Sequence, residues 1–313
     1  MKRDYLNWTI EDFFKAAESW KRPLFLMPHQ DDELTYAGLI QRLGPKTRII
    51  WFTNGDGLFF EMNMTPEDYG QIRMKEGVNA VGAIGIEEKN TRCLAFSEVE
   101  IYRRMSFLQQ DPGIIKTHAE FWDKIRQGVR EALFAALPDA VFTAAWQGGH
   151  PEHDLTHYFT RLAVDDYERE TGRPLPFFHL PAYEYTVLIA FRFHPLYKGR
   201  RLKFILTAEE MEGKNRMVQQ YPSQAEMMVK FRKFLDRLGL VGGLLGFAGT
   251  ADAYLGVEHF GPVPHDMDYA KSTHWFDKAN YMFEDFEGIP ITFKKCIRPV
   301  VTAFPRTPPA VIT

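Results

Sequence analysis

The feature that most limits what this chain can fold into is a series of short apolar runs, each closed by turn residues. PLFLMP (23–28), TRIIWFTNG (47–55), AVFTAAW (140–146) and FFHLPAY (177–183) are unbroken rather than alternating, and Thr91 to Phe96 is a shorter strand candidate. A strand that is apolar on both sides must be buried on both faces, which is the situation in a parallel sheet covered by helices. Helical patterns fill the gaps. Residues 8–19 are opened by Thr9 with Asp12 near N3. Glu33 to Leu43 ends near Gly44-Pro45, and Pro66 to Ile84 is followed by Gly85. Thr117 to Leu137 precedes Pro138-Asp139, and Asp154 to about Thr171 closes the series. The expected fold is α/β: a Rossmann-like three-layer α/β/α arrangement with a mostly parallel sheet. Ligands of such sheets bind beyond the carboxyl ends of the strands.

The later part reads differently. YTVLIAFRF (185–193) and RRLKFILT (200–207) flank HPLYKG as a hairpin, with helices at about 208–219 and 224–238. From Pro262 onward the chain is rich in Pro and aromatics, with little periodicity. No linker forces a division. The expectation is one domain over 1–313, with a core of about 22–225 and a C-terminal extension of about 226–313 made of hairpin and helices.

Composition removes some function classes. A formal net charge of -3 gives no electrostatic reason for nucleic acid or an anionic membrane as partner. The glycine-rich run Leu238 to Ala251 is shorter than the roughly 20 apolar residues of a membrane span. It reads as a helix end and loop packing on the body or on another subunit. Two cysteines, Cys93 and Cys296, are too few for a disulfide framework or a Cys-rich zinc knuckle. With no apolar leader at residues 1–20, the expectation is a cytoplasmic enzyme. Aromatics at 14%, with 26 Phe, point to an aromatic core, an aromatic cleft or a subunit interface, and leave room for a homo-oligomer.

Two segments carry chemistry. His29-Gln30-Asp31-Asp32-Glu33 follows the first strand, and Gln147-Gly-Gly-His150-Pro-Glu-His153-Asp154 follows the strand at 140–146. Both lie at strand carboxyl ends. A catalytic zinc takes three ligands from His, Asp or Glu and keeps one position open. His29 and Asp32 can converge from one strand–helix junction, and His153 can supply a third ligand. Asp31 then points elsewhere and can take a proton from water. His150 can face a bound carbonyl and stabilise its oxyanion. Two other readings compete. The acids alone would suit a helix N-terminus, where they complement the dipole. His153 and His157, four residues apart, could bind a metal without His150.

These segments resemble those of the PIG-L/LmbE-like zinc deacetylases, whose signatures are (P/A)-H-P-D-D-E and H-P-D-H. Here they read Pro28-His-Gln-Asp-Asp-Glu33 and His150-Pro-Glu-His153. Thr53-Asn-Gly55, Arg73-x-x-Glu76 and Tyr221-Pro-Ser-Gln224 are supporting matches, and the likeness spans roughly residues 22–225. Gln30 and Glu152 depart from the usual spelling, as does LAFSEVEIYRR (94–104), where the family often has Asp-Gly; that segment is expected to help shape the substrate pocket.

The resemblance implies His29, Asp32 and His153 on Zn2+, Asp31 as base and His150 as electrostatic partner. It leaves His157 as a helix-face residue. A His₂Asp site with open positions also suits Fe2+ or another divalent ion. Glu33 is expected to brace the site from behind. Arg73, Asn54 and Asp56 are substrate-binding candidates, with a solvated helix pair and turn formation as the plain alternatives. The implied reaction is hydrolysis of an N-acyl group, probably N-acetyl in the family's usage, on an amino sugar or related small molecule. A zinc amidase acting on a larger conjugate, and a non-catalytic sugar- or nucleotide-binding module, are the alternatives. The acids at the first βα junction, and the lack of G-x-G-x-x-G there, weigh against a phosphate ligand.

Overall fold

The computed structural model describes residues 4–184, 189–241, 249–271, 281 and 285–309. Its strands are β1 Pro23–Met27, β2 Arg48–Thr53, β3 Thr91–Phe96, β4 Ala140–Ala144, β5 Phe177–Leu180, β6 Tyr183–Glu184, β7 Ile189–Ala190, β8 Leu202–Ile205, β9 Val257–Pro262, β10 Asp285–Phe286 and β11 Ile289–Pro290. The α-helices are α1 Ile10–Ala17, α2 Ala37–Leu43, α3 Pro66–Gly82, α4 Glu98–Gln110, α5 Ala119–Ala136, α6 Pro151–Thr171, α7 Ala208–Val218, α8 Ala225–Val241, α9 Ala251–Leu255 and α10 Arg298–Ala303.

The main sheet has the order β3-β2-β1-β4-β5-β9-β8. The first five strands are parallel, while β9 runs antiparallel to β5 and β8 antiparallel to β9. The expected mostly parallel α/β sheet is therefore what forms. Its strands bury both faces: Leu24, Leu26, Ile50 and Phe52 enter one core, and Phe25, Met27, Ile49 and Trp51 enter the other. That double burial is why the runs lack polar alternation. The chain reverses its direction of travel across the sheet between β1 and β4, which pair directly. A crevice opens at such a switch point, beyond the carboxyl ends of the two strands.

Several expectations are corrected. Among the described residues, the expected hairpin of 185–193 with 200–207 does not form. Ile189–Ala190 pairs instead with Tyr183–Glu184, and Leu202–Ile205 pairs with Val257–Pro262. The extension thus supplies a sheet strand. Residues 185–188, and 242–248 of the Leu238–Ala251 run, lie outside the described residues. Helix α6 starts at Pro151, with His150 as its N-cap residue, rather than at Asp154. Proline is favoured in that first position because its missing N–H would have no partner there. Helix α4 has no counterpart among the expected elements, although Ile101, Tyr102, Met105 and Leu108 give it a buried face.

The helix expected over 33–43 is divided into a 3₁₀ segment, Asp32–Tyr36, and α2. A buried carboxylate explains the restart. Glu258 of β9 accepts the backbone N–H groups of Gly38 (2.9 Å) and Leu39 (2.8 Å) and pairs with Lys214 of α7 (3.3 Å). The same Lys214 ammonium donates to Thr35 O at 3.0 Å and Leu255 O at 3.2 Å. Breaking a buried pair from one side strands the other charge, at a cost of about 3–5 kcal/mol. Glu258→Ala is expected to lower the unfolding free energy by about that amount, and Glu258→Leu with Lys214→Met to recover only the part due to the stranded charge, since the Gly38 and Leu39 N–H groups stay unpaired. Denaturant titration checks both. An unchanged midpoint in Glu258→Ala would show that β9 does not anchor α2.

Candidate metal centre

The loop after β1 is short and strongly held. His29 donates its backbone N–H to Asp32 Oδ2 at 2.9 Å, and its Nδ1 lies 3.2 Å from the same oxygen. His153, on the first turn of α6, places Nε2 3.4 Å from Asp32 Oδ1. Ligand atoms of His29, Asp32 and His153 all lie within 4.8 Å of one another. Ligands about 2.0–2.2 Å from a tetrahedral ion stand roughly 3.4 Å apart, so these spacings suit a small divalent cation. The ring of His150 is 5.2 Å from that of His153 and 5.9 Å from that of His29. The two segments therefore meet across the β1–β4 switch point.

The charge balance also favours a cation. Asp31, Asp32, Glu98 and Glu152 crowd one buried region, and Arg73 is the guanidinium set against them. Burial drives the His29 imidazole toward neutrality. Glu98 and Asp32 outweigh it and hold the pKa up at about 10. Burial drives His153 down to about 3, which leaves the neutral form that binds metals. Burial would raise Asp32, but His153 and His29 hold it below the usual carboxylate range. Among the described residues, the buried Nε2 of His29 has no hydrogen-bond partner. An orphaned buried polar atom needs an occupant, and a metal or substrate group would supply one.

A second trio, His29 with Glu98 and Glu152, is also close enough to share an ion. Its carboxylates are already engaged. Glu98 accepts the Gly57 N–H at 3.2 Å, and Glu152 contacts His150 Nδ1 at 3.3 Å and the Tyr102 hydroxyl at 3.2 Å. The first trio fits better.

Asp31 sits beside this set in a left-handed conformation, φ +106°. Only tight restraint keeps a non-glycine residue there. Arg73 supplies part of it, bonding the Gln30 carbonyl and Asp31 Oδ2 (2.7 Å) through one nitrogen. Its other nitrogen reaches Glu76 (3.2 Å) and Ser223 (3.4 Å). Arg73 is only 3% exposed, so the solvated-pair reading of Arg73–Glu76 is excluded. Glu33 adds a second restraint, accepting Asp31 N–H at 3.1 Å while also accepting Trp51 Nε1–H at 3.0 Å and the Tyr221 hydroxyl. It braces the backbone of Asp31 rather than the side chain of a ligand. Gln30 is fully buried and donates Nε2–H to Thr53 O at 3.0 Å. Its Oε1 would lie 2.4 Å from a Cβ at position 55, so Gly55 gives it room.

On the other side, His150 faces the ring of Tyr183 at 5.5 Å. A Cβ on residue 149 would meet the Tyr183 carbonyl oxygen at 2.4 Å, which is why glycine precedes this histidine. His157 does not join the site. Its Nδ1 is 2.7 Å from Ala144 O and its Nε2 is 2.9 Å from the Tyr269 hydroxyl. Asn54 and Asp56 do not line the cavity either. Asn54 donates to Asp56 Oδ2 at 3.1 Å, and Asp56 receives Ser97 Oγ–H at 2.7 Å and the Val99 N–H at 3.1 Å. They fasten the loop after β2 to the start of α4, as turn formation would suggest. Arg73 does line the cavity, together with His29, Asp31, Asp32, His150 and His153. Sequence reasoning missed Tyr183, and reached Glu98 and Tyr102 only through the segment 94–104, not as individual residues. Ser97 before two glutamates is a helix-start signal that could have found Glu98, since Ser97 Oγ does accept the Glu100 N–H.

The family model PIG-L: GlcNAc-PI de-N-acetylase matches residues 24–164, which contain both motif segments, so the resemblance they carry is borne out. A search of curated proteins gives no significant match. Among solved structures, a deacetylase of the teicoplanin biosynthesis pathway has a TM-score of 0.54 at 20% identity, over 77% of this chain and 97% of that one. The N,N'-diacetylchitobiose deacetylase from Pyrococcus horikoshii has a TM-score of 0.51 at 18% identity, over 84% and 90%. An A40926 pseudoaglycone deacetylase has a TM-score of 0.51 at 20% identity, over 77% and 96%. These likenesses concern the fold. Among the described residues no helix is long and apolar enough to cross a membrane.

The donor set predicts one tightly held divalent ion per chain. Losing even an outer-sphere partner typically weakens metal binding about 10–100-fold, so His29→Ala, Asp32→Ala and His153→Ala should each weaken it at least that much. His157→Asn should retain the ion. Metal analysis after dialysis decides, and full occupancy in all three alanine variants would remove the site.

Proposed function

We propose that this chain is a metal-dependent hydrolase that removes an N-acyl group, with acetyl as the reference case, from the nitrogen of an amino sugar or a related small-molecule conjugate. The observation that carries this reading is the convergence, in one cavity, of two histidines and an aspartate with a separate carboxylate and a separate imidazole. The family match over both segments supports it. Zn2+ is the proposed ion, held by His29, Asp32 and His153, with Fe2+ as the other candidate for the same donor set. When bound, such an ion polarises an acyl carbonyl and lowers the pKa of water.

The chain's own residues do the rest. Asp31 is the proposed base. Burial raises its pKa and the Arg73 charge opposes that rise, which favours the carboxylate. It takes the proton of the attacking water and returns it to the departing nitrogen. Water adds to the acyl carbon, the C–N bond breaks, and an amine and a carboxylic acid are released. His150, with Nδ1 beside the Glu152 carboxylate, presents its other nitrogen as a donor to the developing oxyanion. The proposed role of Arg73 is to hold Asp31, because its nitrogens already bond Gln30, Asp31, Glu76 and Ser223.

Asp31→Asn should retain metal and fold but lose about 10²–10⁴-fold in deacetylation, the usual worth of a positioned acid–base group. Near-normal turnover of an N-acetyl amino sugar by that variant would overturn the base assignment. Arg73→Met removes the charge that opposes burial at Asp31. The pKa of Asp31 then rises, so the ionised base is lost at a higher pH and the acid limb of the kcat/KM profile moves upward. Arg73→Lys should restore part of the shift. An acid limb unmoved in Arg73→Met would separate Arg73 from the base.

A further inference from the structure

The loop that leads from β4 to His150 does not hold its own shape. It reads Gln147-Gly148-Gly149, and Gly148 is left-handed at φ +70°. Glycines sample more backbone states than other residues, so a fixed course here needs ties from outside. The side chain of Gln147 supplies one set. Its Nε2–H donates to Arg192 O at 3.0 Å, and its Oε1 accepts the Ala182 N–H at 2.8 Å. At the glycines the ties converge on Asp154 and Tyr281. Asp154 of α6 is 1% exposed, and its Oδ1 accepts the N–H groups of Gln147 (3.1 Å) and Gly148 (3.3 Å). Its Oδ2 accepts the Tyr281 hydroxyl at 2.6 Å. Tyr281 also donates its backbone N–H to Gly148 O at 3.3 Å. One tyrosine therefore fixes Gly148 twice, directly at the carbonyl and through Asp154 at the amide.

Tyr281 lies far beyond the segment matched by the family model, which ends at residue 164. Its ring is buried in the core that also holds Trp146, Tyr158 and Phe293. Packing needs only that ring. The hydroxyl does something else: it locks the buried carboxylate that holds two backbone amides of the loop. Tyr281 does not line the cavity, so it can act on the site only through the loop. We infer that Tyr281 is a positioning residue for the proposed reaction: through Gly148 and Asp154 it sets the place of His150, two residues further on, against the acyl carbonyl. The inference rests on the deacylase reading above, with His150 as its oxyanion donor. His153 stands within α6 and keeps its place by the helix's own bonds, so the metal ligands are spared.

The test uses metal-replete full-length protein and an N-acetyl amino sugar. Tyr281→Phe keeps the ring in the core and removes only the hydroxyl. It should retain the metal ion and lower kcat about 10-fold or more with KM held within about 2-fold, because the oxyanion contact is made in the transition state. Added to His150→Ala, the same substitution should cost no further activity, since residues that act as a unit are not additive. In hydrogen exchange, the Gln147 and Gly148 amides should exchange about 10-fold faster relative to those of β1 and β2, the usual worth of one lost hydrogen bond. Asp154→Ser loosens the loop from its other side and should give the same loss of kcat, so either variant decides if the other does not fold. An unchanged kcat in a folded variant overturns the inference. So does a loss that adds in full to that of His150→Ala, or exchange at Gln147 and Gly148 that only keeps pace with the strands. If the wild-type protein releases no amine from any N-acyl amino sugar, the deacylase reading fails, and the NMR signals of the His150 ring decide the rest. They shift in Tyr281→Phe if the tyrosine places this ring, and stay put if it does not.

Discussion

The contact on which the site depends is the grip of Arg73 on the loop after β1. This guanidinium is buried and bonds both the Gln30 carbonyl and the Asp31 carboxylate. A buried arginine is tolerable only if its donors are satisfied, and Glu76 and Ser223 complete the set. Ser223 is itself held, donating its backbone N–H to Glu76 Oε1 at 2.8 Å. The ring of Tyr221 lies 5.2 Å from the guanidinium carbon. So the late segment Tyr221-Pro-Ser-Gln224 serves the first loop through a cation on α3. Regions far apart in the chain are tied by one charge.

The second constraint is where the sheet reverses. β1 and β4 are neighbours, although β1 ends at Met27 and β4 begins only at Ala140. Their loops must share one crevice, and acids gathered there repel one another unless a cation is near. Arg73 offsets Asp31 from behind. Without an ion, Asp32 is balanced by the His29 imidazolium. Neutral His153 and ionised Asp32 are already in the protonation states a metal-ligand set requires, and His29, held protonated by Glu98 and Asp32, has to release its proton to join them.

The sheet was legible because its strands are buried on both faces, and an unbroken run such as PLFLM fits few settings besides a doubly covered strand. The candidate centre was legible because His29 and Asp32 directly follow β1 and His153 stands on the first turn of the helix after β4, where local sequence sets position. What escaped depended on distant partners. The carboxylate of Glu258 restarts α2, and nothing within 33–43 foretells it. The 200–207 run pairs with Val257–Pro262, about 50 residues later, although a nearer partner at 185–193 looked equally suitable. Asn54 and Asp56 had the right chemistry for ligands, but Ser97 and the start of α4 claim them. Gln30, a departure from the usual motif, is explained only by the space that Gly55 leaves and by the Thr53 carbonyl it meets.

The left-handed turn at Asp31 bears on how this chain can change over time. Holding a non-glycine residue there costs about 1–3 kcal/mol, and glycine would adopt the same angles freely. Glycine at position 31 would, however, also remove the carboxylate that pairs with the buried Arg73 guanidinium, and breaking a buried pair from one side costs about 3–5 kcal/mol, at least what the relaxed backbone would return. The strained turn and the ion pair therefore stand or fall together at one codon. Drift toward a sturdier fold has no single-step route through glycine at this position, because the arginine would have to change in the same step. The aspartate is thus kept by the fold as well as by the chemistry proposed for it.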